Sequence, residues 1–253
     1  MPLPSEPLDR FLARAARLPR AAARRAIHER RVAVNGVPTQ KYHRALAAAD
    51  RVACDGVELG DPPDDSILVC HKPAGYACSH AARDAPLIYE LVPERWRHPD
   101  LQTVGRLDRD TTGLLLLTHD GRFLIRVADP QHGIAKRYRV RYEGALPEDA
   151  VARCAQGLLL PDDPRPCLPA QLEIDGPGSA WLSIREGRHH QVKRMFAALG
   201  CRVLALHREM IGGLELPADL APGAMRPARP EELQRLGVGW WWLPPGPDCA
   251  PAR

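Results

Sequence analysis

Residues 104–121 read VGRLDRDTTGLLLLTHDG, and this stretch restricts the fold more than any other. The four leucines from Leu114 to Leu117, closed by Thr118, are apolar enough to be buried, and no run in the chain approaches membrane-spanning length. Directly ahead stand two carboxylates, Asp108 and Asp110, with Arg106 and Arg109 beside them. An acid placed there sits at a boundary between water and core, where nearby cations keep it ionised. From spacing alone, Asp108 is either a turn residue holding backbone N–H groups or a chemical group.

The surrounding pattern mixes strands and helices without regular alternation. Strand candidates are SILVCHKP, KRYRVRYEG, AQLEI, AWLSIREG and RVLALHREM; helix candidates are PLIYELVPE, GRFLIRVAD, EDAVARCAQGL, HHQVKRMFAALG and PEELQRLG. That mixture predicts an α+β fold with a mixed, largely antiparallel sheet flanked by helices. Helix HHQVKRMFAALG has a buried stripe of Val192, Met195, Phe196 and Leu199, with Lys193 and Arg194 flanking it near a cleft. The Gly-Arg-His-His ahead of it, including Arg188, is costly if nothing is bound there.

The first sixty residues differ in character. Leu8, Phe11, Leu12 and Ala15 mark one helix face, and Pro19 can open a second helix, RAAARRAIHER, with a thin stripe of Ala23 and Ile27. RVAVNG and DRVACDG read as short strands ending in tight turns. Between Leu8 and Arg44 the bases are Arg10, Arg14, Arg17, Arg20, Arg24, Arg25, Arg30, Arg31, Lys41 and Arg44, opposed by Asp9 and Glu29. The net charge of the 253-residue chain is only +4, so this concentration matters more than the total, and it favours a polyanionic partner, nucleic acid before membrane. The polar stretch GVELGDPPDDS reads as a linker. Boundaries follow: residues 1–60 form a small basic domain, 61–236 a larger one, and 237–253 a Trp/Pro-rich tail.

Other chemistries are excluded on spacing. DRDTTG copies the start of a calcium loop, but its twelfth position is His119 rather than Glu. No phosphate-cradling glycine motif and no G-x-S-x-G elbow occurs. Cys54, Cys70, Cys78, Cys154, Cys167, Cys201 and Cys249 are scattered without a C-x-x-C pair, which predicts no zinc ribbon, no metal and a reducing cytoplasm.

Two resemblances sharpen the reading. LDRFLARAARLPRAAARRAIHERRVAVNG resembles the RNA-binding domain first seen in ribosomal protein S4, although that family often has serine where Pro19 stands. GRLDRDTTGLLLLTHDG is very similar to the catalytic motif of pseudouridine synthases, with HKPAGYACS, AKRYRV, EGRHHQVKRMFAALG and LHREMIGGLEL in agreement. The likeness runs from Leu8 to about Leu236 and favours the bacterial branch acting on small-subunit (16S) ribosomal RNA.

The resemblance implies an enzyme that isomerises a uridine without a cofactor. It makes Asp108 the carboxylate that bonds the sugar or removes a ribose proton, two routes that stay open. Lys193, where many relatives have arginine, is its cationic partner, and Tyr138 stacks on the base and helps remove the carbon 5 proton. Arg106 holds the flipped-out nucleotide and its phosphate, and Lys72 and Tyr76 shape the same cleft, with Arg188 also on the RNA-contacting side. Asp110, Thr111 and Thr112 fix the loop by hydrogen bonds rather than react. Arg20, Arg24, Arg25 and Arg31 contact phosphates. The partner is ribosomal RNA or a subunit precursor, and the protein is expected to be a monomer without a membrane. Trp240, Trp241 and Trp242 are expected to pack on the domain surface. Two alternatives remain: the same chemistry on large-subunit (23S) RNA, or a non-catalytic ribosome-assembly factor.

Overall fold

Alternation of apolar and polar residues at period two builds one large sheet, and a separate small unit forms from the basic N-terminal stretch. In the computed structural model, residues 6–47, 49–60, 67–81, 85–161 and 163–237 are described. They divide into two units: residues up to Gly60 with Pro93–Gln102, and Ile67–Val92 with Thr103 onward. The linker expected over 56–66 starts later than that, since Val57–Glu58 pairs as a strand with Val52–Cys54; its remaining residues 61–66, the Trp-rich tail and Cys249 lie outside the described residues.

The first unit contains β1 (Glu6–Pro7), α1 (Leu8–Ala15), α2 (Arg20–His28), β2 (Val32–Val34), β3 (Val37–Pro38), β4 (Ala45–Leu46), β5 (Val52–Cys54) and β6 (Val57–Glu58). Its strands pair in the order β3-β2-β5-β6, with β1 and β4 as a separate pair. Leu8, Phe11, Leu12, Ala23, Ile27, Val32, Val34 and Val52 make its core. Both tight turns form as the sequence predicts: Asn35 and Gly36 have φ of 53° and 78°, and Asp55 and Gly56 have 51° and 79°. Pro19 takes the cap position of α2 and offers no side-chain acceptor. Instead the Arg20 N–H donates to Asp100 Oδ2 at 2.9 Å, so the acid that stands in for a capping serine comes from Pro93–Gln102.

The counted acids understate how far the arginines are paired. Asp9 is fully buried and accepts from Arg20 Nε at 3.1 Å and Arg24 Nε at 2.7 Å. Burial pushes its carboxyl up, but the bonds from Arg24 and then Arg20 outweigh this and hold it below the ordinary range. Arg31 forks onto Asp55 at 2.8 and 2.6 Å. Arg25 is exposed, and Arg20 and Arg24 keep nearly half their side-chain surface open.

The second unit follows β8 (Gln102–Thr103), where the division falls, and its sheet also uses β7 (Ile67–Lys72) from before it. The remaining elements are β9 (Thr112–Thr118), α3 (Gly121–Ala128), β10 (Lys136–Glu143), α4 (Ala150–Gln156), β11 (Gln171–Gly176), β12 (Ser179–Ile184), α5 (Gln191–Ala198), β13 (Arg202–Ile211), β14 (Leu214–Glu215), β15 (Met225–Pro227) and α6 (Pro230–Arg235). The sheet order is β11-β12-β10-β13-β9-β7-β15, antiparallel except for the β13–β9 pair. This is the α+β, mostly antiparallel arrangement that the sequence predicts.

The leucine run is the inner strand β9, with Leu114 to Leu117 fully buried. One expected helix fails: PLIYELVPE gives only short 3-10 turns at Ile88–Leu91 and Glu94–Trp96, because Pro86 and Pro93 leave too few residues for an α-helix between them. Among the described residues no helix is long and apolar enough to cross a membrane.

Candidate active site

Four strands share one rung of the larger sheet. Lys72 on β7 pairs with Gly113 on β9, Gly113 with Arg208 on β13, and Arg208 with Tyr138 on β10. Residues opposite one another in a ladder face the same side. On the other side His71, Thr112 and His207 meet: the two imidazoles lie edge to face at 5.7 Å, and Thr112 Oγ1 pairs with His207 Nδ1 at 2.8 Å. The Lys72–Tyr138 face is therefore a distinct surface. Helix α5 lies over it, since Phe196 of α5 packs on Tyr142 of β10 with ring centroids 5.2 Å apart.

Gly113 makes the rung possible. Its φ is +109°, and a Cβ there would meet the Arg208 carbonyl oxygen at 2.2 Å. A side chain at this point would push β9 away from β13.

The loop carrying Asp108 enters this rung and is tied down by backbone groups. The Thr111 N–H donates to the Asp108 carbonyl, and the Gly75 N–H donates to the Arg109 carbonyl at 2.7 Å. The latter bond sets the Lys72–Tyr76 turn against the acid loop. Lys72 completes the attachment: Nζ donates to the carbonyls of Pro73, Arg109 and Thr111 at 3.0, 3.2 and 2.8 Å. Burial holds this lysine below its ordinary pKa. With its side chain fully buried and all three hydrogens directed at carbonyls, Lys72 is a tether of the loop and not an RNA-contacting group, a correction to the expected role. Tyr76 is half-buried in the turn, and Arg106 is exposed on the loop two residues ahead of Asp108.

Asp108 faces two cationic or potentially cationic groups from α5 and its approach. Lys193 Nζ lies 3.3 Å from Oδ2, and His190 Nε2 lies 3.4 Å from Oδ1. The expected pairing of Asp108 with Lys193 is thus present in the geometry. Its tighter contacts, however, go to Asp110, at 2.7 and 2.9 Å to the two carboxylate oxygens. The Lys193 bond holds the Asp110 carboxyl below its ordinary range. For Lys193 itself burial lowers the pKa, but the Asp110 bond and then the Asp108 charge outweigh it and raise it. Asp110 ties the loop to α5 through these two bonds and shares the ammonium with Asp108, whereas the Thr111 side chain, expected to bond within the loop, has its hydroxyl buried without a partner among the described residues. Thr112 does brace the strand entrance through His207.

Two further placements differ from expectation. Arg188 donates to the Arg165 and Pro166 carbonyls at 2.7 and 2.6 Å, and pairs with Asp163 at 2.9 Å and Glu186 at 3.1 Å. It is a brace between two loops rather than a free RNA contact. Buried Glu186 anchors the same turn through the Leu168 N–H and Gln191 Nε2. His190, which sequence reasoning left without a role, adopts a left-handed conformation at φ 49° and stacks on His189 with centroids 3.8 Å apart. That turn is what aims the imidazole at Asp108.

Tyr138 is 8% exposed on the rung beneath α5. Lys136 joins it on the buried side of β10, a position that the charged run KRYRVRYE concealed.

The sequence profile of the RNA pseudouridylate synthase family matches residues 66–166. The ribosomal small subunit pseudouridine synthase A of Escherichia coli (strain K12) is 41% identical over 228 residues, spanning 89% of this chain and 97% of that protein. The protein of the same name from Haemophilus influenzae is 38% identical over 232 residues, covering 90% of this chain and 98% of the relative. A crystal structure of a pseudouridylate synthase superposes with a TM-score of 0.63 at 37% identity, over 92% of this chain and all of that one.

Proposed function

The chain belongs to the RNA pseudouridine synthase family, and from that premise we propose that it isomerises a uridine of small-subunit (16S) ribosomal RNA with Asp108 as its catalytic carboxylate. The observation that supports this reading most directly is the Asp108 carboxylate set between Lys193 Nζ and His190 Nε2 at the mouth of a loop held by Lys72. The small-subunit target rests on the names of the relatives.

Isomerisation breaks the bond between uracil N1 and ribose C1′, turns the base, and joins C1′ to C5 with loss of the C5 proton. The electron pair of the broken bond leaves with the base. Asp108 answers the electron-poor sugar either by bonding C1′ or by taking a ribose proton. A carboxylate does this only while ionised, and Lys193 supplies the adjacent positive charge, steadied by Asp110. Tyr138 stacks on the base and takes part in removing the C5 proton. The uridine must first leave its helix, at roughly a few kcal/mol, and Arg106 holds the extruded nucleotide.

Residues 1–60 are assigned as an S4-like RNA-binding domain and 61–236 as the catalytic domain. Arg25, together with the open edges of Arg20 and Arg24, presents charge to phosphates. The chain is read as a cytoplasmic monomer acting on ribosomal RNA or a subunit precursor.

The test is tritium release from carbon-5-labelled uridine in 16S RNA by wild type and Asp108→Asn. Loss of release with RNA binding retained is expected; equal release from both removes Asp108 from the mechanism. Release from 23S but not 16S RNA overturns the target assignment.

A further inference from the structure

Two buried cations in the larger unit meet no anion among the described residues. Lys136 is 8% exposed and Arg208 is 2% exposed. Arg208 Nε donates to the Leu114 carbonyl at 2.7 Å, while its Nη2 is buried without a partner among the described residues. Among the described residues Lys136 pairs with no carboxylate, and the Arg208 charge acts on it by repulsion. Burial first, and that repulsion second, pull Lys136 down to about 8. An unpaired cation in a protein interior is expensive, and two side by side are more so. Sites of this kind persist where the charge is used.

Their position indicates the use. Arg208 is directly opposite Tyr138, and Lys136 is two residues along the same strand on the same buried side, ~7 Å away by strand geometry. Helix α5, which brings Lys193 to Asp108, lies over this face. Lys72 on the same rung has its three hydrogens committed to carbonyls, so it does not serve the purpose. The phosphates of an extruded nucleotide stay near water, by the exposed Arg106, whereas its base goes deepest. A neutral uracil needs no cation. The uracil that departs with the N1–C1′ electron pair is an anion, its charge spread onto the two carbonyl oxygens, and it exists only after that bond has broken.

We propose that Lys136 is a further catalytic residue, whose ammonium takes the negative charge building on a uracil carbonyl oxygen as the glycosidic bond breaks, with Arg208 as the positioning residue behind it. The inference rests on the pseudouridine synthase reading above. The step balances without a co-reactant: the electron pair passes to the base as C1′ bonds Asp108 or the sugar gives it a proton; C5 then bonds C1′ as the Asp108–C1′ bond breaks or the sugar takes its proton back, and the C5 proton leaves with the help of Tyr138 while N1 takes up a proton from solvent. Placing preformed positive charge where anionic charge develops stabilises the transition state more than the ground state.

The experiment compares wild type, Lys136→Met, Lys136→Arg and Arg208→Lys in single-turnover reactions on C5-tritiated 16S RNA, with RNA affinity measured separately. Lys136→Met should slow the reaction by ~100-fold or more while RNA affinity stays within about threefold, and Lys136→Arg should restore most of the rate. Arg208→Lys keeps the charge and should lose about tenfold or less. A second substrate carries 5-fluorouridine, whose base leaves as a better-stabilised anion; bond cleavage is read as uridine analogue lost from the hydrolysed RNA. There the Lys136→Met deficit should shrink by about tenfold. An unchanged rate, a loss confined to RNA affinity, or an equal deficit on both substrates overturns the proposal. If wild type releases no tritium from ribosomal RNA, the parent reading fails instead. If wild type is active, Asp108→Asn inactive and Lys136→Met normal, only this inference falls.

Discussion

Replacing Lys136 by methionine should make the protein more stable. The side chain is 8% exposed, and burial with the Arg208 charge holds its pKa at about 8 against 10.5 for an ordinary lysine. At ~1.36 kcal/mol per pH unit, that gap is a penalty of about 3 kcal/mol near neutral pH for carrying the charge in the fold. Methionine has similar length, no charge and an adaptable thioether, so it fills the same space without this penalty. A gain of roughly 2 kcal/mol at pH 7 is expected once imperfect packing is allowed for. The sign of the pH dependence follows from the depressed pKa. Between about 8 and 10.5 the unfolded chain holds a proton that the folded chain has released, so wild-type stability rises with pH through that window; below about 8, where both states hold the proton, the penalty is present in full and constant. The advantage of the variant should therefore narrow from pH 7 to pH 10. Urea unfolding at both values, followed by tryptophan fluorescence, measures it. A variant that is less stable than wild type by ~1 kcal/mol at pH 7, or a difference constant with pH, refutes the reasoning, because the charge would then have an unseen partner.

Gly113→Ala should be severely destabilising, by ~2 kcal/mol or more, because a Cβ would lie 2.2 Å from the Arg208 carbonyl and the residue has φ +109°; a lower melting temperature or insoluble protein is the expected readout, and unchanged melting contradicts the close approach. Lys72→Met removes three hydrogen bonds to the acid loop and leaves carbonyls unpaired, so it should lose roughly 2 kcal/mol in urea unfolding and lower the turnover rate without changing RNA affinity. Asp100→Ala removes the acceptor at the start of α2 and should lower the stability of the first unit by ~1 kcal/mol, seen as faster amide exchange at residues 20–23.

How far the site could be read from sequence depends on whether its cause is local. The tight turns at Asn35-Gly36 and Asp55-Gly56 follow from one dipeptide's conformational preference, and they form as expected. The strand β10 is a candidate in the sequence, but the alternation that puts Lys136 on the side of Tyr138 is seen only in the burial along it. What hid Lys136 was residue type: a lysine in KRYRVRYE is read as solvated, and only the pairing of Tyr138 with Arg208 shows that the cation is buried beside another. The same limit applies to Lys72, Arg188 and Asp110. Each was assigned by proximity to a motif, yet what each does is set by partners far along the chain: the Arg109 and Thr111 carbonyls, the 163–166 loop, and Lys193. Asp100 capping a helix eighty positions earlier is the extreme case. Charged residues are thus poor guides when counted and good guides when their partners are known. An acid or base whose charge is already matched braces the fold, as Arg188 does with Asp163 and Glu186. A buried charge left unmatched, as at Lys136 and Arg208, marks where the free protein is incomplete, and in an enzyme that expels an anionic base the missing anion is made by the reaction itself.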